Sequence, residues 1–164
     1  DESCATWFFT CATGKCSAAR QRTDEGPPKI LAQRYLQNVT CVQGGEETLA
    51  QIVEYTQKKL ENFSVEIEWF QSNHEGEIVT KIQDSLKKNY RALIINPAAF
   101  SHYSIAILDA LKMVPFTVIE VHLSNTHRRE EFRKTKLTAM ASNIIMEGLG
   151  KNSYFLAIYS QLIK

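Results

Sequence analysis

The chain has 164 residues, a length typical of one domain with a substantial hydrophobic core. Its formal net charge of +1 gives no reason to expect nucleic acid as a partner. No apolar run is long enough to cross a bilayer, so a membrane partner is not expected either.

All the cysteines fall in the first quarter of the chain, at Cys4, Cys11, Cys16 and Cys41. An even number of cysteines around a turn-prone stretch indicates a disulfide framework formed in an oxidising compartment. No Cys-x-x-Cys pair occurs and no histidine lies nearby, so no metal site is expected. We predict two bridges, at least one of which joins the N-terminal segment to Cys41. The three possible connectivities stay open.

Two further features favour secretion. The chain begins at Asp1 rather than Met, as a chain whose signal peptide has been removed would begin. Sequons for N-glycosylation occur at Asn38-Val39-Thr40 and Asn62-Phe63-Ser64. We therefore expect a secreted glycoprotein.

A boundary is predicted at Gly26-Pro27-Pro28, which divides a disulfide-stapled extension (residues 1–28) from a single domain (residues 29–164). Downstream of it, helical and strand patterns alternate. Helices are predicted at Thr48–Leu60, Ile78–Leu86, Ser104–Leu111 and Ser153–Ile163, and strands at Val65–Phe70, Ala92–Ile95, Phe116–Val121 and Asn143–Met146. Val65–Phe70 alternates apolar and acidic residues, as a strand near a sheet edge does. This order predicts an α/β fold with a parallel sheet covered by helices on both faces.

Three of these strands end in polar clusters. Phe70-Gln71-Ser72-Asn73-His74-Glu75-Gly76 follows the first, Asn96-Pro97 with Ser101-His102 follows the second, and His122-Leu123-Ser124-Asn125 follows the third. In an open parallel sheet, ligands bind in the crevice outside the carboxyl ends of the strands. The clusters therefore predict a binding site at that edge.

These segments carry a family resemblance. Phe70 to Glu77, Ile95 to His102, and Glu120 to Asn125 with Arg129-Glu130-Glu131-Phe132-Arg133 resemble the motifs of type II dehydroquinase. The resemblance implies a flavodoxin-like three-layer sandwich with a five-stranded parallel sheet. It also implies a homo-oligomer built from trimers, which in the family assemble into dodecamers. No cofactor is expected.

The family removes water from 3-dehydroquinate through an enolate intermediate. By resemblance, His122 is the general acid that protonates the departing hydroxyl, and Glu120 orients its ring. An imidazole suits this task because it can donate a proton near neutral pH.

The remaining roles concern binding of the substrate. By resemblance, Asn96 and the backbone of Leu123 and Ser124 hold the substrate carboxylate, and His102 and Arg133 bind ring hydroxyls. Asp109 is expected to reach the site of a neighbouring subunit.

The first part of the family pattern is missing. The family has Asn-Gly-Pro-Asn after its first strand, then a lid with an essential Arg and Tyr, of which the Tyr takes the proton. Here no Asn-Gly-Pro-Asn occurs, the Tyr position falls on Gly44 and the Arg position on Val39. A further Arg of the family, before Asp109, is replaced by Leu108.

Two registers of the first strand are open. Either Lys29 to Ala32 forms it and the lid is shortened, or Val39 to Gln43 forms it and the lid is gone. Both remove the base, which typically contributes about 10²–10⁴-fold to the rate.

We therefore predict a secreted relative without dehydratase activity, which binds a small hydroxy-carboxylate or serves as a structural or storage oligomer. The alternative is an active dehydratase with a relocated base. That base would come from Tyr35, Tyr103 or Tyr154, or from a neighbouring subunit.

Overall fold

The computed structural model describes residues 26–34 and 48–163 of the chain. The cysteines, the sequon at Asn38, the alternative first strand Val39 to Gln43 and Tyr35 all lie outside the described residues. The proposed extension also lies outside them, except for residues 26–28.

The described residues form a five-stranded parallel sheet in the order β2-β1-β3-β4-β5. The strands are β1 (Lys29–Arg34), β2 (Glu66–Gln71), β3 (Ala92–Asn96), β4 (Thr117–His122) and β5 (Ile144–Glu147). The α-helices are α1 (Leu49–Leu60), α2 (Glu75–Ser85), α3 (Ile105–Lys112) and α4 (Asn152–Leu162). Short 3₁₀ helices cover Ala98–His102, Thr126–Arg128, Glu131–Lys134 and Thr138–Ala141. The predicted flavodoxin-like sheet is confirmed, and its first strand begins at Lys29, as the first of the two registers requires.

Two hydrophobic clusters lie on the two faces of the sheet. One joins α2 and α3 to Leu31, Leu93, Ile95 and Val118, and the other joins α1 and α4 to Ile30, Ala32, Ile94, Ile119 and Val121. Every residue of β3 is buried, as expected of a central parallel strand covered on both faces. Because side chains alternate along a strand, odd and even positions of one strand serve different clusters.

The helix boundaries follow from local chemistry. Thr48 caps α1 in a capping box, in which its hydroxyl accepts from the Gln51 backbone N–H at 3.3 Å and Gln51 Oε1 accepts from the Thr48 N–H at 2.7 Å. The prediction that α2 begins at Ile78 was wrong by one turn, since the helix begins at Glu75. Glu75 and Glu77 lie in that first turn, where their carboxylates interact favourably with the helix dipole. They add nothing to the apolar periodicity from which the helix was predicted.

The strand predicted to lie near an edge, β2, is an edge strand of the sheet. Its Glu68 accepts hydrogen bonds from Lys81, Tyr90 and Lys88. The bonds from Lys81 and Tyr90 lower the pKa of Glu68 to about 2, against a smaller opposing effect of burial. Charged side chains on an edge strand disfavour pairing with a further strand.

None of the described helices is long and apolar enough to span a membrane.

Candidate functional site

The predicted convergence at the carboxyl edge of the sheet is observed for two strands. Asn96 ends β3 and His122 ends β4, and these strands are neighbours in the sheet. Both side chains are buried. The register pairs Ile95 with Glu120 and His122 with Glu147, so Glu147 at the end of β5 lies beside His122. The sheet itself thus brings these polar residues together.

The third polar cluster, after β2, stabilises a turn. Ser72 is buried, and its hydroxyl donates to Glu77 and accepts from the His74 backbone N–H at 2.9 Å. These bonds form the turn between β2 and α2, on the edge strand that lies two strands away from β3. Their role is local.

His122 and Glu120 form a buried pair. They lie two residues apart on β4, so their side chains point to the same face, and His122 Nε2 lies 2.8 Å from Glu120 Oε1. Glu120 is fully buried, and its second oxygen, Oε2, accepts a hydrogen bond from Thr138 Oγ1 at 2.7 Å. The contact is the one required of a carboxylate that orients an imidazole.

His102 is the last residue of the 3₁₀ helix after β3. Its Nδ1 lies 2.8 Å from the carbonyl oxygen of Thr135, so Nδ1 carries a proton and donates. Burial lowers the pKa of His102, the hydrogen bond to Thr135 opposes this effect, and the nearby Arg133 adds to the lowering. His102 is therefore neutral at pH 7, and its other ring nitrogen, Nε2, lies 3.4 Å from the Ser101 hydroxyl.

The turn after β3 is strained. Asn96 Oδ1 accepts from the Ala98 backbone N–H at 3.1 Å, which leaves the amide group of Asn96 as a donor. Ala98 has φ 49°, a left-handed conformation that costs a residue with a Cβ roughly 1–2 kcal/mol. Strain of this kind is often concentrated at functional sites.

The loop after β4 is held by backbone bonds to the segment that follows β5. The Gly148 N–H donates to the carbonyl of His122 at 3.1 Å, and the Gly150 N–H donates to that of Leu123 at 3.0 Å. Gly148 has φ 75°, and a Cβ there would come within 3.3 Å of the Asn125 side chain. Leu123 and Ser124 are half-buried at this position, next to His122.

Arg133 and Asp109 are the two predicted site residues that the sheet does not position. Arg133 Nε donates to Glu130 Oε2 at 2.7 Å, and its guanidinium lies 5.0 Å from the Phe132 ring centroid. Asp109 lies on the exposed side of α3. The role predicted for Asp109, at the site of a neighbouring subunit, stays a prediction.

Sequence reasoning missed a four-residue strap, Thr135 to Thr138, that ties the site elements together. The Thr135 carbonyl accepts a hydrogen bond from His102, and the Thr138 hydroxyl donates one to Glu120. Between them, Lys136 forms an ion pair with Glu147 at 2.7 Å. The Leu137 N–H donates to the carbonyl of Ser101 at 2.6 Å. Glu147 could have been found, because it is another polar residue at a strand end. The residues of the strap gave no comparable signal.

Of the tyrosines proposed as relocated bases, Tyr103 and Tyr154 lie in the part of the chain that the structure describes. Tyr154 is fully buried, and its hydroxyl donates to the carbonyl of Gln33 at 3.2 Å, which removes it from consideration. Tyr103 follows His102, is largely exposed, and packs on Phe100 with ring centroids 5.6 Å apart.

In the ranges 26–34 and 48–163, no group of His, Cys, Asp and Glu side chains is arranged to hold a metal ion.

Comparison with known proteins identifies the family. The family model for dehydroquinase class II matches residues 35–162. The 3-dehydroquinate dehydratase of Clostridium botulinum (strain Hall) is 49% identical over 114 residues, which cover 70% of this chain and 77% of the relative. That of Helicobacter acinonychis is 48% identical over 120 residues, covering 72% and 71%. The crystal structure of type II dehydroquinase from Butyrivibrio crossotus is similar with a TM-score of 0.76 and 35% identity, over 82% of this chain and 97% of that one. With this match in sequence and in fold, the chain belongs to the class II dehydroquinase family.

Proposed function

We propose that the protein is a 3-dehydroquinate dehydratase in which His122 is the general acid, oriented by Glu120. The buried contact between His122 Nε2 and Glu120 Oε1 carries the proposal. Its support is the 49% identity to a 3-dehydroquinate dehydratase, which favours the active alternative over the expected loss of activity. A positioned acid contributes about 10²–10⁴-fold to the rate.

The site also suits the substrate's charge and hydroxyl groups. The amide group of Asn96 is a donor, as a carboxylate requires, and neutral His102 can exchange hydrogen bonds with ring hydroxyls. Arg133 adds a cation, although its pairing with Glu130 must loosen before it can bind a ligand. We propose that these residues bind the substrate.

The base is proposed to be a tyrosine. Tyr103 is exposed beside His102 and can reach a ligand or the site of a neighbouring chain. Tyr35 lies close in sequence to the family's lid position. Replacing each by Phe separately identifies the base, because only one substitution should abolish turnover.

A second function, binding without turnover, is favoured by one specific observation. Gly44 and Val39 stand where the family has its essential Tyr and Arg. In this case a hydroxy-carboxylate would bind weakly, because exposed charge contacts contribute little. A structural or storage role in a secreted material would also be compatible with a chain that lacks the essential Tyr and Arg.

One experiment separates these functions. The dehydratase product is a conjugated compound that absorbs in the ultraviolet, so turnover of 3-dehydroquinate by the full chain can be followed directly. We expect His122→Ala to lower kcat by about 10²–10⁴-fold. His127→Ala, at an exposed histidine of the adjacent loop, is the matched control and should leave kcat unchanged. Absence of turnover in the unmodified chain, combined with binding of quinate in calorimetry, would establish the second function instead.

We also propose a homo-oligomer based on trimers, which in the family assemble further into dodecamers. Ile105 and Asp109 are exposed at i and i+4 of α3, and Met113, which caps the helix at i+8, is exposed too. The 3₁₀ helix Thr138–Ala141 packs against α3 and carries the exposed Met140. Light scattering of Ile105→Glu should show dissociation. Ile163→Glu, at an isoleucine that is equally exposed (63% for both), should not change the mass. An unmodified chain that is monomeric at micromolar concentration would contradict the proposal.

Secretion remains a proposal, together with the disulfide bridges and glycosylation. Its support is the even number of cysteines and the position of Asn62, which is exposed directly after α1. Thiol labelling of the denatured, unreduced protein should give no signal, and glycosidase treatment should lower the mass. Four labelled cysteines would refute the secretory argument.

A further inference from the structure

Three buried groups form a chain of hydrogen bonds behind the proposed acid. Thr138 Oγ1 lies 2.7 Å from Glu120 Oε2, and Glu120 Oε1 lies 2.8 Å from His122 Nε2. Thr138 and Glu120 are fully buried, and His122 is 5% exposed. Each oxygen of the carboxylate therefore has its own partner, and the carboxylate itself is shielded from water.

The donor of each bond follows from the chemistry of the groups. An ionised carboxylate only accepts hydrogen bonds, so Thr138 must donate through its hydroxyl and His122 must donate through Nε2–H. A neutral imidazole carries one ring proton. In the neutral ring that proton is on Nε2, and the proton that the protonated ring can give to a substrate is on Nδ1.

We propose that Thr138 is a positioning residue for the acid, which holds Glu120 in the orientation that fixes His122 as the Nε2–H tautomer. This inference rests on the proposed function of His122 as the acid. Without the Thr138 hydroxyl, Glu120 Oε2 is left as a buried acceptor with no donor, and the carboxylate gains by turning towards another donor. This rotation releases the Nε2–H contact and the fixed tautomer.

Thr138 itself is held independently of its hydroxyl. The preceding residue, Leu137, donates its N–H to the carbonyl of Ser101, and the Ser142 hydroxyl donates to the Thr138 carbonyl at 3.4 Å. The loss of the hydroxyl therefore leaves the backbone anchored. This separates a positioning role of the side chain from a general structural role of the strap.

The tautomer can be read without any assay of activity. In long-range ¹H–¹⁵N spectra of the ¹⁵N-labelled full chain above neutral pH, His122 should show a protonated Nε2 and an unprotonated Nδ1. Thr138→Val should give averaged ring shifts, and Thr138→Ser should restore the original pattern. Thr135→Val is the matched control, since this exposed threonine of the same strap uses only its carbonyl, and it should leave His122 unchanged.

Turnover supplies the second measurement. In a protein with dehydratase activity, Thr138→Val should lower kcat by about 10–100-fold, as losses of outer-shell partners do, with KM unchanged. A protonated Nδ1 in the unmodified chain overturns the proposal. An unchanged His122 spectrum in folded Thr138→Val, or in Thr138→Ala where the valine variant does not fold, also overturns it. If the chain has no activity, the proposed function fails, but the spectra still decide the role of Thr138.

Discussion

The ion pair between Lys136 and Glu147 gives the sharpest prediction about stability. Lys136 Nζ lies 2.7 Å from Glu147 Oε1, with side chains only 6% and 17% exposed. Glu147 Oε2 also accepts from the backbone N–H and the hydroxyl of Thr126. One carboxylate thus joins β5, the strap and the loop after β4. Lys136→Met removes the cation and keeps most of the side-chain volume.

The magnitude follows from the pKa of Glu147. Burial by itself raises this pKa, but the ion pair with Lys136 and the two bonds from Thr126 outweigh it and lower the pKa from 4.5 to about 2. That difference corresponds to about 3 kcal/mol of stability at neutral pH. Removal of one partner from a buried pair commonly costs about 3–5 kcal/mol. Because the two Thr126 bonds supply part of the pKa shift and Glu147 is 17% exposed, we expect Lys136→Met to lower the free energy of unfolding by a smaller amount, about 2 kcal/mol.

The pH dependence has a definite sign. The folded-state pKa of Glu147 is depressed, so its contribution is fully present above pH 4.5 and is lost as the pH falls towards 2. Glu68 titrates in the same window but is unaffected by the substitution. The deficit of Lys136→Met relative to the unmodified protein should therefore be largest at pH 7 and should shrink below pH 4.5.

Urea unfolding at pH 7 and at pH 3 measures both effects. The matched control is Lys134→Met, whose partner Glu131 lies 2.6 Å away in an exposed pair, and which should cost less than about 1 kcal/mol. The double variant Lys136→Met/Glu147→Gln should recover most of the loss, because no uncompensated charge remains. Equal losses in Lys136→Met and Lys134→Met, or a deficit that does not depend on pH, would refute the reasoning.

Further changes test other parts of the structure by the same unfolding measurement. Ala98→Gly should raise the free energy of unfolding by about 1 kcal/mol, since glycine adopts the left-handed conformation without strain, and an unchanged or lower value would contradict that account. Thr48→Ala should cost about 1 kcal/mol by removing the cap of α1, whereas Thr80→Ala, in the interior of α2, should cost little. Tyr154→Phe should cost about 1 kcal/mol through the lost bond to Gln33 and should leave kcat unchanged, because a buried hydroxyl cannot be the base.

The sheet could be predicted because its signal is local and repeated. The apolar run Ala92 to Ile95 is buried on both faces of the sheet, and such runs separated by helical patterns specify parallel strands. The carboxyl ends of those strands then meet at one edge, which is why Asn96 and His122 were found. Glu120 was predicted by resemblance alone, and the two-residue period of β4 explains why its side chain lies on the same face as that of His122.

The strap could not be predicted, because its order comes from tertiary contacts. Its residues have no apolar periodicity, and Lys136 belongs to a charged stretch that, in sequence, is typical of a solvated surface. In the folded chain the Lys136 side chain is only 6% exposed, and it pairs with Glu147 from β5. Glu147 is too far from Lys136 in the sequence for the pairing to be predicted from neighbouring residues, so it becomes visible only in the three-dimensional structure.

The strap holds the proposed acid entirely through residues in the C-terminal half of the chain. The bonds that hold His122 run through Glu120 and Thr138, and those that hold the adjoining loop run from Glu147 to Lys136 and Thr126. All of these residues lie on β4, β5 and the connection between them. The departures predicted at Gly44 and Val39 lie between β1 and α1, in a different part of the chain. The proposed acid and the proposed base thus depend on separate segments, and we expect a substitution in one segment to impair its own proton transfer while the other segment keeps its geometry.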